Sequence, residues 1–130
     1  MLTDGLNIKD AYIVNIGIDF EVIPLPEYNS NEVVLKCVNK LKSLMDVNKW
    51  QINQPIYLKK LEVALDDIDG VQTVSKLEIN NKINTTEGYS GIIYDLKEAT
   101  RNGVIYPSLD PVIFEIKYPS SDIRGRAISS

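Results

Sequence analysis

Histidine is missing from this sequence altogether, which removes the usual general base near neutral pH and the commonest transition-metal ligand. Cysteine occurs once, at Cys37. A single thiol excludes an internal disulfide framework, so packing has to supply the stability. With one cysteine and no histidine, a tetrahedral zinc site would have to be built from carboxylates almost alone, which is a poor donor set. Long apolar runs are also missing. None approaches the roughly 20 residues that a membrane helix needs. The start, Met1-Leu2-Thr3-Asp4-Gly5, has neither the basic region nor the apolar stretch of a secretory signal, so the chain is expected in the cytosol when it is made. Neither the glycine pattern of a dinucleotide-binding turn nor that of a phosphate-binding loop occurs. No internal repeat, heptad or low-complexity block is present.

Charge is mixed and mildly acidic: 14 Lys and Arg against 18 Asp and Glu, a net charge of −4. Interspersed signs with an acidic excess argue against a nucleic-acid footprint, which gathers Lys and Arg on one face to neutralise phosphates. The 130 residues, 44% hydrophobic and 25% charged, suit one globular domain spanning residues 1–130 around a single core.

Along the chain, Val14, Ile16, Ile18, Phe20 and Val22 alternate with Asn15, Gly17, Asp19 and Glu21, which predicts a half-buried strand from Tyr12 to Ile23. Pro24 and Pro26 end it, and Tyr28-Asn29-Ser30-Asn31 offers side-chain oxygens suited to capping a helix. Val34, Cys37, Val38, Leu41, Leu44 and Met45 then recur at helical spacing, opposite Lys36, Asn39, Lys40 and Lys42. Cys37 on that stripe reads as a small buried hydrophobe rather than a nucleophile. A second helix is predicted after Asn53-Gln54-Pro55, with proline in its first turn and Leu58, Leu61, Leu65 and Ile68 at helical steps, stopped by Gly70. Val71 to Asn81 reads as a return strand, and Asn84 to Gly88 as a surface loop. Short strands are expected at Ile92–Leu96, Val104–Tyr106 and Val112–Tyr118, separated by Arg101-Asn102-Gly103 and Leu109-Asp110-Pro111, with a hairpin among them. The polar end, Pro119 to Ser130, is expected to fray as a flexible tail, notably over residues 120–130, unless a partner orders it. Together these elements predict an α+β two-layer sandwich: strand, helix, helix, strand, then further short strands, in a mixed or antiparallel sheet covered by the helix pair.

Candidate chemistry is sparse. Asp66, Asp67 and Asp69 before Gly70 suggest a calcium loop. Aligning Gly70 with the invariant glycine, however, puts Leu65 at the first ligand and Lys76 at the bidentate position, so the pattern fails. Asp19, Glu21, Glu115 and Lys117 could face one another across strands as an acid/base set, but alternation places them on the polar phase, where opposite charges are ordinary sheet surface. No catalytic residue, cofactor or metal ligand is assigned, and the chain is read as not an enzyme. Six residues stand out as interface candidates: Trp50, Gln54, Tyr106, Tyr118, Arg124 and Arg126. Trp50 and the two Tyr-Pro pairs, Tyr106-Pro107 and Tyr118-Pro119, either close the core or project towards a partner. Arg124 and Arg126, flanking Gly125, suit either an anion or an acidic neighbouring subunit.

The succession Trp50-Gln51-Ile52-Asn53-Gln54-Pro55-Ile56, then Asp69-Gly70-Val71-Gln72-Thr73-Val74, then Val104-Ile105-Tyr106-Pro107-Ser108, then Phe114-Glu115-Ile116-Lys117-Tyr118-Pro119 resembles the carboxy-terminal part of the baseplate wedge protein of T-even-like bacteriophages. That family is related to the baseplate J-like proteins of contractile tails and injection systems. The resemblance covers about Asp10 to Arg126. It implies a structural virion protein of the contractile-tail baseplate, assembled in the host cytoplasm, whose partners are other wedge subunits and not nucleic acid or membrane. In the family, two copies of the wedge protein clasp one copy of a neighbouring subunit, wedges join into a sixfold ring around the tail tube, and carboxy-terminal parts contribute to contacts between copies. A homodimer is the expectation that transfers most directly. Family members are several times longer than 130 residues, so this chain corresponds to a fragment or to a stand-alone version. Two readings from other classes remain beside it: a peptide- or ligand-binding adaptor that captures strands at a sheet edge, and a small carboxylate-based enzyme with a deep polar pocket.

Overall fold

A computed structural model of the chain describes residues 12–46, 48–107 and 111–129. The opening Met1 to Gly5, the Leu109-Asp110 part of the last predicted separator and the terminal Ser130 lie outside them.

The first strand, β1, runs Tyr12–Pro24. Its even residues Val14, Ile16, Ile18, Phe20 and Val22 are buried to within 2% of completely, as the period-two pattern requires. Helix α1 spans Ser30–Leu44 and starts where Asn29 Oδ1 accepts from the Glu32 backbone N–H, a cap that satisfies one of the orphan donors of the first turn. Its buried stripe is Val33, Cys37 and Leu41, continued by Met45. Val34, Val38 and Leu44 flank that stripe and pack against it only in part. The inward face thus keeps Cys37, Leu41 and Met45 of the predicted stripe, and Val33, absent from that prediction, sits at its head.

The two-residue strand β2, Ile56–Tyr57, precedes helix α2, Leu58–Asp66. Pro55 is therefore not in the first turn of α2 as predicted. Ile56 and Tyr57 are taken by pairing with a later strand, and the helix starts after them. Leu61 and Leu65 are buried, and Gly70, at φ 97°, turns the chain into β3, Val71–Asn81. A short 3-10 turn, Thr85–Glu87, follows.

The next stretch departs from prediction. Ile92 to Tyr94 is irregular, and Leu96–Ala99 is a single helical turn, α3, capped by Asp95. The β-branched residues suggested a strand, but Ile93 is 77% exposed and Tyr94 is held by a hydrogen bond from its N–H to Asn81 Oδ1. The hairpin forms one step later, between β4, Thr100–Arg101, and β5, Val104–Ile105. Its turn residues Asn102 and Gly103 both have positive φ, 52° and 77°, the backbone that matches the twist of paired strands and that Asn-Gly adopts most readily.

Strand β6 is shorter than predicted, Val112–Glu115. The end of the chain, expected to fray, is built into the sheet: Pro119–Asp122 is a helical turn, α4, and Ile123–Ala127 is a strand, β7, pairing with β1.

The result is an α+β two-layer sandwich. In the main sheet β1 is central, with antiparallel β3 on one side and parallel β6 and β7 on the other, β6 along Tyr12–Asn15 and β7 along Ile18–Val22. The second sheet, β2-β5-β4, contributes Ile56 and Ile105 to the same core as α1 and α2. The covering layer is thus the helix pair together with a three-stranded ribbon. One contact fixes the register of β7. Phe20 pairs with Gly125, and a Cβ at Gly125 would fall inside the Phe20 ring. The ring lies over β7 because there is no side chain beneath it.

Candidate interaction surface

Where the even residues of β1 face the core, Asp19 and Glu21 face away from it. Register places Glu78 of β3 and Arg124 of β7 on either side of Asp19, and Lys76 and Arg126 on either side of Glu21. Two rows of three charges cross the sheet: Glu78, Asp19, Arg124, and Lys76, Glu21, Arg126. Columns matter as much as rows. β1 presents two acids, β7 two bases and β3 one of each. A shallow depression of about 300 Å³ lies over Asp19, Glu21, Lys76 and the two arginines.

The charges are partly paired. Arg126 Nε donates to Glu21 Oε2 at 2.7 Å, and Lys76 lies 3.6 Å from Glu78. Asn80 Nδ2 donates to Asp19 Oδ2 at 2.9 Å. Arg124 Nε reaches only a backbone acceptor, Ser121 O, at 3.2 Å, and among the described residues it has no carboxylate partner. Exposed pairs of this kind contribute about 0–1 kcal/mol each to stability, so the pattern specifies a surface more than it stabilises the fold.

Below these rows the same face is closed by a polar network. Asn15, 1% exposed, donates through Nδ2 to Glu115 Oε1 and accepts at Oδ1 from the Ser90 N–H, both at 2.8 Å. Asn81 Nδ2 donates to Asn15 O, and the Ser90 hydroxyl donates to Ile13 O. These bonds strap the segment after β3 along β1. Tyr89 OH lies 2.8 Å from both oxygens of the buried Asp122 carboxylate and donates to it. Burial of the phenol, then that bond and the negative charge beside it, push the Tyr89 pKa up to about 12. Burial likewise pushes the Cys37 thiol up to about 11. A thiol held protonated on a packed helix stripe is a poor nucleophile.

The six interface candidates fall into four places. Arg124 and Arg126 sit together on the charged face. Trp50 and Gln54 meet at a small recess of about 190 Å³ floored by Leu44, Ile56 and Leu61 and rimmed by Tyr57 and Lys60. Trp50 Nε1 is buried there without an acceptor among the described residues, and Gln54 Oε1 accepts from the Gln51 N–H. Tyr106 is exposed at the end of β5, where its carbonyl accepts from Tyr94 OH. Tyr118 stacks edge-on against Tyr89, and its hydroxyl donates to Glu87 O. Glu115 and Lys117 do not join Asp19 and Glu21. Glu115 is paired in register with Asn15, four residues earlier on β1, and Lys117 lies over the Tyr118 ring.

Sequence reasoning missed Lys76 and Glu78, the outer column of the charged face. The available signal was the alternation Lys76-Leu77-Glu78-Ile79 within the predicted strand, which places both charges on one face. Among the described residues no cluster of His, Cys, Asp and Glu could hold a metal ion, and no helix is long and apolar enough to cross a membrane. No family model, no curated protein and no solved structure matches the chain.

Proposed function

We propose that this chain is a structural module of a contractile-tail baseplate, using its sheet surface to hold wedge subunits together, including a second copy of itself, in the virion and during assembly in the host cytoplasm. The observation that carries the reading is the exposed charged face of the main sheet, with its columns of acids on β1 and bases on β7. A pattern of this kind selects a partner by charge more than it stabilises a monomer. The edge of β7, which pairs with no further strand among the described residues, lies beside it, where a neighbouring subunit can extend the sheet. The order of motifs from Trp50 to Pro119 resembles the wedge protein's carboxy-terminal part and supports wedge subunits as the partners.

Co-expression of the chain with the subunits encoded by neighbouring tail genes, followed by size-exclusion chromatography, tests the proposal. Co-elution with a wedge subunit is the expected result. Separate elution of every subunit, with this chain at its monomer volume, would remove the reading.

A further inference from the structure

We propose that the outer edge of β7 receives an extended segment of a partner protein with an acidic–apolar–acidic pattern, added as a further strand of the main sheet. The inference rests on the reading of this chain as an assembly module and specifies the chemistry of the partner.

Of the two long edges, β3 is poorly suited to this. Its register slips twice against β1, leaving Ser75 and Gln72 as bulges, and bulged edges resist strand addition. Its exposed charges, Lys76 and Glu78, already pair with each other. β7 differs on each count. It runs in unbroken register with β1 from Ile123 to Ala127, and among the described residues no strand pairs with its other side. Its two exposed side chains carry the same sign, and Arg124 has no carboxylate partner among the described residues. A cleft of about 670 Å³ runs from Gly125, Ala127 and Ile128 of this edge across the end of β1 at Ile23 and Pro24 to Gln72 of β3, with Tyr28 and Val34 also in its lining. Arg126 is the one charged side chain among its described lining residues.

Alternation then dictates the partner's pattern. Residues opposite Arg124 and Arg126 project on the charged face and are matched by carboxylates. The residue between them projects from the opposite face, towards the covering layer, where Val34 and Ala127 line the cleft and an apolar side chain is matched, the space over Gly125 itself being filled by Phe20. β1 already shows β7 this arrangement from the other side, as Asp19-Phe20-Glu21. The incoming strand would repeat it, placing each arginine between two acids.

The test uses the full chain and a labelled, end-blocked peptide copying residues 17–23, read by fluorescence anisotropy and by backbone amide shifts. Binding is expected at low salt, with shifts at Arg124–Ala127 and Val34. It should weaken about tenfold when the peptide's two acids are replaced by lysine, when alternate peptide amides are N-methylated, or when the protein carries Arg124→Glu with Arg126→Glu. Undetectable binding, shifts confined to β3, or equal affinity of the lysine or N-methylated peptide would overturn the proposal. The N-methylated arm leaves the protein unchanged, so it stands even where the double variant folds poorly. If the peptide fails while the chain still co-elutes with wedge subunits, the β7 proposal falls and the assembly reading stands.

Discussion

Replacing Gly125 by alanine tests how β7 is held, because one methyl group is enough to collide with a core ring. Phe20 is 2% exposed, and its ring occupies the space where the new Cβ would sit. Relief requires the ring to leave its rotamer or β7 to lift from β1. Overpacking of this kind costs about 1–3 kcal/mol, and the intrinsic gain from removing glycine in a strand returns about 0.5–1 kcal/mol. A net loss of about 1 kcal/mol is expected, equivalent to a fall in melting temperature of about 3–6 °C for a domain of this size. Urea denaturation followed by circular dichroism measures it, with Phe20→Leu as the second arm of a double-mutant cycle. Leucine at position 20 leaves room for the methyl, so the cost of Gly125→Ala should shrink by about 1–2 kcal/mol in that background. Additivity of the two substitutions to within about 0.5 kcal/mol would show that the ring does not lie over β7.

Three further outcomes follow from the packing and the titrations. Leu41→Asp puts a carboxylate at a fully buried position of α1, at a cost comparable with the whole stability of a domain, about 5–15 kcal/mol; a cooperative thermal transition in this variant would mean that the stripe of α1 is wrongly phased. Asn29→Ala removes the cap of α1 and should cost about 1 kcal/mol in urea titration, and an unchanged midpoint would contradict the capping bond. Tyr89 and Cys37 have native pKa values raised to about 12 and about 11 from ordinary values of 10.0 and 9.0. Their neutral forms are favoured in the folded state, so that contribution is complete below the ordinary values and is lost as pH climbs through the raised ones. Melting temperature should therefore fall between pH 9 and 12, less steeply in a Tyr89→Phe, Cys37→Ala variant, and coincident curves would refute the assignment.

What was legible in the sequence was local. Strand β1 announces itself through strict alternation, α1 through Asn29 and its apolar spacing, and β3 through Gly70 and the run from Val71 to Asn81. What was not legible depended on distant partners. Ile56 and Tyr57 look like the first turn of a helix after Pro55, but β5, nearly fifty residues later, draws them into a strand. Ile92-Ile93-Tyr94 has strand composition and yet is pinned as an irregular strap through Asn81. The Arg-Gly-Arg segment has the composition of a loose tail and becomes β7 because Phe20 covers Gly125 while Asp19 and Glu21 flank the two arginines. The same holds for the charged face. Asp19, Glu21, Arg124 and Arg126 were each visible, but only the pairing of β1 with β7 aligns them.

The central claim, that this sheet surface assembles subunits, is tested most directly by sedimentation equilibrium of the chain at micromolar concentration and about 0.15 M salt, alone and beside an Asp19→Lys, Glu21→Lys variant. A dimer mass for the parent and a monomer mass for the folded variant is the expected result. A monomer for the parent at every concentration, or a dimer equally stable in both proteins, would contradict it.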